Sequence, residues 1–281
     1  MILKTAIITG AASGIGKHWA NVLIKRSDEY RLVLADVNED GLREQFTPSD
    51  TVRLYSLEIS SVEEWQQVVK DTVQHFGQID YLFNVAGISR QGFFLSQSIE
   101  NIDLVIDVIL KGPLIGMRVV GDVMQKQKSG HIINIGSLAG LSPTPGNALY
   151  SAAKGGLRNA SIAVAIEWRR KGVSVTVISP DLVDTPVMQK HLERAGEEVA
   201  LTYTGITLTV NDLEKAFWRA MRDKPLEITL PRWRGWLAKL NHANPSIMFW
   251  LYEPMKRRGM MRLEQIRRQR SGQGNEPDTL S

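Results

Sequence analysis

The sequence of 281 residues predicts an α/β chain built on a doubly wound parallel sheet, and three observations predict it. Short β-branched apolar runs alternate with longer stretches of helical periodicity from Leu3 to Leu230, the pattern made when each helix crosses back over a parallel sheet. A glycine-rich turn, Gly10-Ala11-Ala12-Ser13-Gly14-Ile15-Gly16, separates the first apolar run from the first helical stretch. Gly10, Asp36, Asn84, Ser137 and Pro180 all fall at or just past the ends of apolar runs, the edge at which open parallel sheets bind ligands. No repeat, low-complexity tract or linker interrupts the pattern before Pro231. Residues 1–230 are therefore expected to form a single domain, residues 231–270 a C-terminal amphipathic extension of aromatic and basic character, and residues 271–281 a disordered tail.

Leu3–Thr9 reads as the first strand and Lys17–Arg26 as the first helix. Glycines in the turn between them let backbone approach a pyrophosphate, and the helix start directs unpaired N–H groups and a positive dipole end at that anion. This is the Rossmann-type arrangement. The second strand, Arg31–Ala35, ends at Asp36, twenty residues beyond Gly16, where an acidic side chain meets adenosine ribose hydroxyls and repels a 2′-phosphate. Val37 follows in place of a cation, so the cofactor expected is NAD. Val52–Ile59 is a third strand carrying Glu58, Val62–Phe76 an amphipathic helix, and Tyr81–Val85 a fourth strand closing on Asn84-Val85-Ala86-Gly87. Asp103–Met124 is a long helical pattern that Gly112 and Pro113 should kink or break. A fifth strand, His131–Gly136, delivers Ser137, and a long helix covers Tyr150–Arg170. Val173–Ser179, Leu213–Arg222 and Leu226–Leu230 complete the pattern as strand, helix and strand.

Tyr150 and Lys154 stand four residues apart, on one helix face. An unperturbed phenol titrates near ~10, and a fixed ammonium beside it favours the phenolate, so the pair reads as an acid/base device in which Lys154 lowers the Tyr150 pKa. The composition, 43% hydrophobic and 23% charged, is ordinary for a globular chain. There is no Cys, which excludes disulfide and thiolate chemistry, and five scattered histidines show no metal-ligand spacing, so no metal is expected. Residues 2–9 are too short for a signal segment, and the expected location is the cytoplasm. Ten Lys/Arg against four Asp/Glu from Pro231 to Ser281 leave the rest of the chain slightly acidic, although the total is +4.

Together these motifs resemble the short-chain dehydrogenase/reductase family over roughly residues 3–231. The glycine turn resembles its cofactor signature, Asn84-Val85-Ala86-Gly87 its Asn-Asn-Ala-Gly element, and Ser137, thirteen residues before Tyr150, its catalytic serine. The resemblance implies catalysis by Ser137, Tyr150 and Lys154, with Lys154 also holding the nicotinamide ribose. It further implies cofactor contacts from Gly10, Ser13, Gly14, Ile15, Gly16, Asp36, Glu58, Ile59, Asn84, Ala86, Gly87, Pro180, Val183 and Thr185. Asp181 stands where the family has glycine after Pro180. Ile109 stands where the family usually has an asparagine that holds a water linking the lysine to solvent.

Leu141, Thr144 and Phe93, in mostly apolar loops, are the candidate substrate contacts and favour a lipophilic secondary alcohol or its ketone. Pro186–Gly205 is the expected flexible segment over that substrate. In the extension, Trp233, Trp236 and Trp250 either pack across a subunit interface or roof the site, or join the basic residues 256–270 in a helix lying on an anionic membrane surface. No nucleic-acid module is recognisable. By resemblance the helices at Asp103–Met124 and Tyr150–Arg170 would pair subunits into a homodimer or homotetramer. Two rival readings remain: a cofactor-binding regulatory or structural protein with weakened turnover, motivated by Ile109, and a nucleotide-sugar epimerase, for which the chain is short.

Overall fold

Seven strands form one all-parallel sheet: β1 (Lys4–Thr9), β2 (Tyr30–Asp36), β3 (Val52–Ser56), β4 (Tyr81–Asn84), β5 (Gly130–Ile135), β6 (Val173–Pro180) and β7 (Glu227–Leu230). Their order is β3-β2-β1-β4-β5-β6-β7, which reverses direction between β1 and β4. The computed structural model describes residues 3–185, 188 and 196–273. Helices α1 (Gly14–Ile24), α2 (Glu39–Gln45), α3 (Val62–Phe76), α4 (Ile99–Ile106), α5 (Gly112–Gln127), α6 (Ala148–Trp168) and α7 (Val210–Asp223) fill the crossovers, and α8 (Arg232–Ala243) and α9 (Ile247–Gln273) follow the sheet. The expected doubly wound sheet is the observed one.

Both sheet faces are covered, which is why the strands are apolar on both sides. On one face Trp19 of α1 stacks on Phe217 of α7 at 4.7 Å and meets Phe83 edge-on at 5.5 Å. On the other, Trp65, Met117, Val120 and Trp168 of α3, α5 and α6 pack over Ile7, Leu82 and Ile132. Local signals fix the helix ends. Ser61 caps α3 by accepting from Glu64 N at 3.2 Å, and Gly77 ends it at φ +81°. Thr209 and Asp212 form a reciprocal capping box on α7.

Two expected boundaries shift. The third strand stops at Ser56, because residues 58–61 turn to start α3, with Ser60 N and Oγ donating to Glu58 Oε1 at 3.1 and 3.0 Å. The expected break near Gly112 is a π-helical turn over Asp107–Lys111 between α4 and α5. Pro113 has no N–H to give the carbonyl of Ile109 four residues back, so a regular α-turn cannot close there.

A chain of buried side-chain hydrogen bonds ties the sheet centre to its helices. Asn84 Nδ2 donates to Pro113 O at 3.3 Å and Asn134 Oδ1 at 2.8 Å; Asn134 Nδ2 donates to Ser161 Oγ at 2.8 Å, and Ser161 Oγ donates to Leu157 O at 2.6 Å.

The extension docks by its own contacts. Glu227 of β7 takes Arg158 of α6 at 2.6 Å and Lys239 of α8 at 2.8 Å; burial alone would raise its carboxyl, but these bonds bring the net shift down. The inner face of α9 packs Leu263 and Met260 against Val199 and Tyr203, and a side chain on Gly259 would strike the Ala200 carbonyl. The helix begins nine residues before the expected basic stretch and continues to Gln273; residues 274–281 of the expected tail lie outside the described residues.

Replacing Asn134 with Ala removes three buried hydrogen bonds, to Asn84, Ser161 and the Met117 sulfur, and should lower stability by about 2–3 kcal/mol. A urea unfolding midpoint indistinguishable from the parent would show that the polar chain contributes nothing.

Candidate active site

One cavity of about 890 Å³ opens along the carboxyl edge of the sheet. Its floor begins at the turn after β1. Gly10 holds φ +70°, and a Cβ there would lie 2.7 Å from Ala86 Cα; a Cβ on Gly16 would strike the Gly10 carbonyl. Only glycine permits this approach of turn to helix. Thr9 Oγ1 accepts from Val85 N at 3.0 Å and Ala86 N at 3.2 Å, fixing the ends of β1 and β4 together. The N-cap residue Ser13 makes no side-chain capping bond, and the first turn of α1 carries no acid. The helix therefore presents its N–H groups and positive end to the cavity, a cradle suited to a diphosphate.

Asp36 stands at the end of β2, held by Ala12 N at 2.9 Å on Oδ2 and Asn38 N at 3.0 Å on Oδ1. Ser13, Gly14, Ile15, Glu58, Ile59, Ala86 and Gly87 line the same half of the cavity. Pro180, Val183 and Thr185 face them from the end of β6, with Thr185 Cβ 3.8 Å from where a Cβ on Gly14 would sit. Asn84 does not line the cavity. Its amide donates to Asn134 and Pro113 at the sheet centre.

Ser137, Tyr150 and Lys154 meet at the cavity wall. Ser137 follows β5 and accepts from Ala139 N at 3.1 Å, and its hydroxyl acts on the Tyr150 phenol in the direction that lowers it. Lys154 is buried, with Nζ donating to Ile135 O at 2.6 Å and lying 5.7 Å from the centroid of the Tyr150 ring. Burial lowers its ammonium to about 8. The expectation that Lys154 draws the phenol down is corrected: burial pushes Tyr150 up and outweighs the lowering by the Ser137 hydroxyl. The lysine has turned its Nζ to a backbone carbonyl instead.

Of the candidate substrate residues, Thr144 lines the cavity and Leu141 and Phe93 do not. Leu141 is turned into a cluster with Leu138 and Ala238, and its carbonyl meets His242 Nδ1 at 3.1 Å. Phe93 is 46% exposed outside the lining, where the neighbouring loop contributes Ile88, Ser89, Arg90 and Gln91. Within Pro186–Gly205, residues 186–187 and 189–195 lie outside the described residues, and Glu197–Thr204 forms a 3-10 helix whose Leu201 to Thr204 line the cavity.

Sequence reasoning missed two contributors. Asn147, three residues before Tyr150, is buried at the cavity wall with Oδ1 lacking a partner among the described residues. An Asn at the N-cap of the helix carrying Tyr150 was the available signal. The extension supplies the far wall through Leu237, Ala238 and Leu240 of α8 and Ile247, Met248 and Leu251 of α9. Of the alternatives held open for it, the described geometry has these residues roofing the site, while Trp233, Trp236 and Trp250 point to solvent.

Residues 4–196 match the family model of the short chain dehydrogenases. The chain belongs to that family. It is 32% identical over 198 residues to a 3-oxoacyl-[acyl-carrier-protein] reductase of Thermotoga maritima, across 69% of this chain and 80% of that one. Two solved structures share the fold. A short chain dehydrogenase/reductase from Burkholderia phymatum in complex with NAD superposes with a TM-score of 0.75 at 24% identity, covering 88% of this chain and 95% of that one. ElxO with NADP bound superposes at 0.71 and 24% identity, covering 81% and 96%. As a family member the protein is an oxidoreductase.

Because the Ser137 hydroxyl lowers the phenol, Ser137→Ala should move the ionisation of Tyr150 to higher pH. The limb of kcat/KM for alcohol oxidation that rises with pH as the phenolate forms should shift to higher pH with it. A limb that stays in place in a variant retaining measurable activity would separate Ser137 from the phenol.

Proposed function

We propose that the protein is an NAD(H)-dependent oxidoreductase that interconverts a lipophilic secondary alcohol and its ketone. The observation that carries this reading is that Ser137, Tyr150 and Lys154 converge at one end of a cavity whose other end is closed by the glycine turn and Asp36. A nicotinamide dinucleotide bound there supplies the hydride acceptor or donor. The chain supplies the rest. Gly10, Ser13, Gly14, Ile15 and Gly16 receive the diphosphate against the start of α1, and Glu58, Ile59, Ala86 and Gly87 border the adenosine side. Pro180, Val183 and Thr185 fit the nicotinamide edge. In oxidation Tyr150 Oη takes the hydroxyl proton and Ser137 Oγ hydrogen-bonds the same oxygen as its charge changes; in reduction Tyr150 returns the proton. Lys154 holds positive charge behind the ring below about pH 8.

Asp36 favours NAD. Its carboxylate is fixed by Ala12 N and Asn38 N and cannot swing away from a 2′-phosphate, and the next residue, Val37, offers no cation. The lipophilic substrate class is supported by Leu237, Leu240, Met248, Leu251 and Met255 around the catalytic end. Thr144 and Asn147, together with Ser142 and Asn241, are polar groups of the lining that can orient it.

A second reading rests on Ile109, which is fully buried among Val105, Leu149 and Ala153 and holds no water through its side chain. In that reading the protein binds the cofactor with slowed or lost turnover. The enzyme reading is supported by the convergence of Ser137, Tyr150 and Lys154 at the cavity wall, with Pro113 lacking the N–H that a regular α-turn would give the Ile109 carbonyl.

Across a panel of lipophilic secondary alcohols, Tyr150→Phe should lower kcat by about 10²–10⁴-fold while NADH binding persists. Wild-type NADH binding with no turnover on any panel member would favour the cofactor-binding reading. Asp36→Ala should weaken NAD and narrow the preference against NADP, checked by fluorescence titration with both. If proton relay limits the rate, Ile109→Asn should raise kcat, and an unchanged rate across pH would dismiss that limit.

A further inference from the structure

The extension has two faces of different character. Its inner face walls the cavity and packs on Val199 and Tyr203, and its outer face is apolar and aromatic with basic neighbours. On α8 the exposed Trp233 and Trp236 stand three residues apart outside the lining, and the half-exposed Leu237 and Leu240 continue the same helical stripe to the cavity wall. After the short connection to α9, Phe249 and Trp250 are 88% and 85% exposed, the most exposed aromatics among the described residues. The two stripes belong to one region, because Leu237 and Leu240 of α8 and Ile247 and Leu251 of α9 reach the same cavity mouth. Exposed aromatics gathered on a water-facing surface point to a contact site.

Charge selects the occupant. From Pro231 to Gln273 ten Lys/Arg stand against Glu253 and Glu264, a difference of +8. Arg234, Lys239 and Lys256 pair with Asp181, Glu227 and Glu197, acids of the main domain. Arg257 and Arg258 are exposed, and at helical spacing Trp250, Arg257, Met261 and Arg268 share one face of α9. Apposing two copies of this surface about a two-fold axis would bring each cationic extension against itself. An anionic lipid surface complements both features: tryptophan and phenylalanine settle at headgroup depth while arginines meet the phosphates. No helix among the described residues is long and apolar enough to cross a membrane, so the contact is with the surface.

We propose that the outer face of α8 and the first half of α9 docks on an anionic lipid bilayer, with the cavity mouth turned toward the lipid. The inference does not depend on which substrate or cofactor the cavity takes. Its test is co-sedimentation of the full chain with phosphatidylcholine vesicles and with mixed phosphatidylcholine and phosphatidylglycerol vesicles. The parent should pellet with the anionic vesicles and show a blue-shifted tryptophan emission. Arg257→Gln with Arg258→Gln should weaken that binding on the order of tenfold. Phe249→Ser with Trp250→Ser, at sites outside the cavity lining and largely exposed, should abolish pelleting and leave circular dichroism unchanged. Three results overturn the proposal: a parent that stays in the supernatant with anionic vesicles, an aromatic double variant that pellets like the parent, or a parent that is an oligomer in lipid-free solution and is split by that variant, which assigns the face to a second copy.

Discussion

The buried run of hydrogen bonds from Pro113 through Asn84, Asn134 and Ser161 to Leu157 sets the frame on which the catalytic end depends. It joins β4, β5, α5 and α6 in a place where water is excluded, so each donor and acceptor is confined to its neighbours in the run and to one geometry. Apolar packing alone would tolerate sliding of α6 along the sheet. Polar pairing at fixed distances does not. The register of α6 against β5 decides where Tyr150 and Lys154 fall relative to Ser137, which leaves the end of that strand.

The catalytic group is balanced by backbone and burial more than by pairing of opposite charges. Among the described residues Lys154 Nζ donates to the Ile135 carbonyl and to no carboxylate, and burial brings its ammonium down to about 8. Burial moves Tyr150 in the opposite sense, away from the charged form. The two groups are thus both pressed toward neutrality. In the proposed reaction, a negative charge forming on the phenol and a positive one retained on the lysine would stabilise each other where neither is well solvated.

Much of this was legible because it is local. The glycine turn, Asp36 after β2 and the Tyr150–Lys154 spacing each depend on a few consecutive residues, and strand ends place them on one edge without further information. What was not legible depends on residues far apart in sequence. Leu141 sits in an apolar loop like a pocket residue, but α8, a hundred positions later, draws it inward. The direction of the Tyr150 shift was misjudged because proximity of a lysine was visible and its competing carbonyl was not. Asn134 offered a faint clue as a polar residue inside the run Ile132-Ile133-Asn134-Ile135, whereas its partners could be known only from the fold.

The salt bridge between Asp181 and Arg234, 2.5 Å long, binds the first residue after β6 to α8. Asp181 also accepts from Ile206 N at 3.1 Å, so one carboxylate holds three stretches of chain. Such a junction makes the terminal segment an exchangeable part: residues after Pro231 form much of the wall a substrate would meet, while the residues assigned to proton and hydride transfer all precede it. Variation confined to that terminal segment can retune selectivity and leave the reaction intact, a modular route by which one catalytic frame comes to serve different molecules.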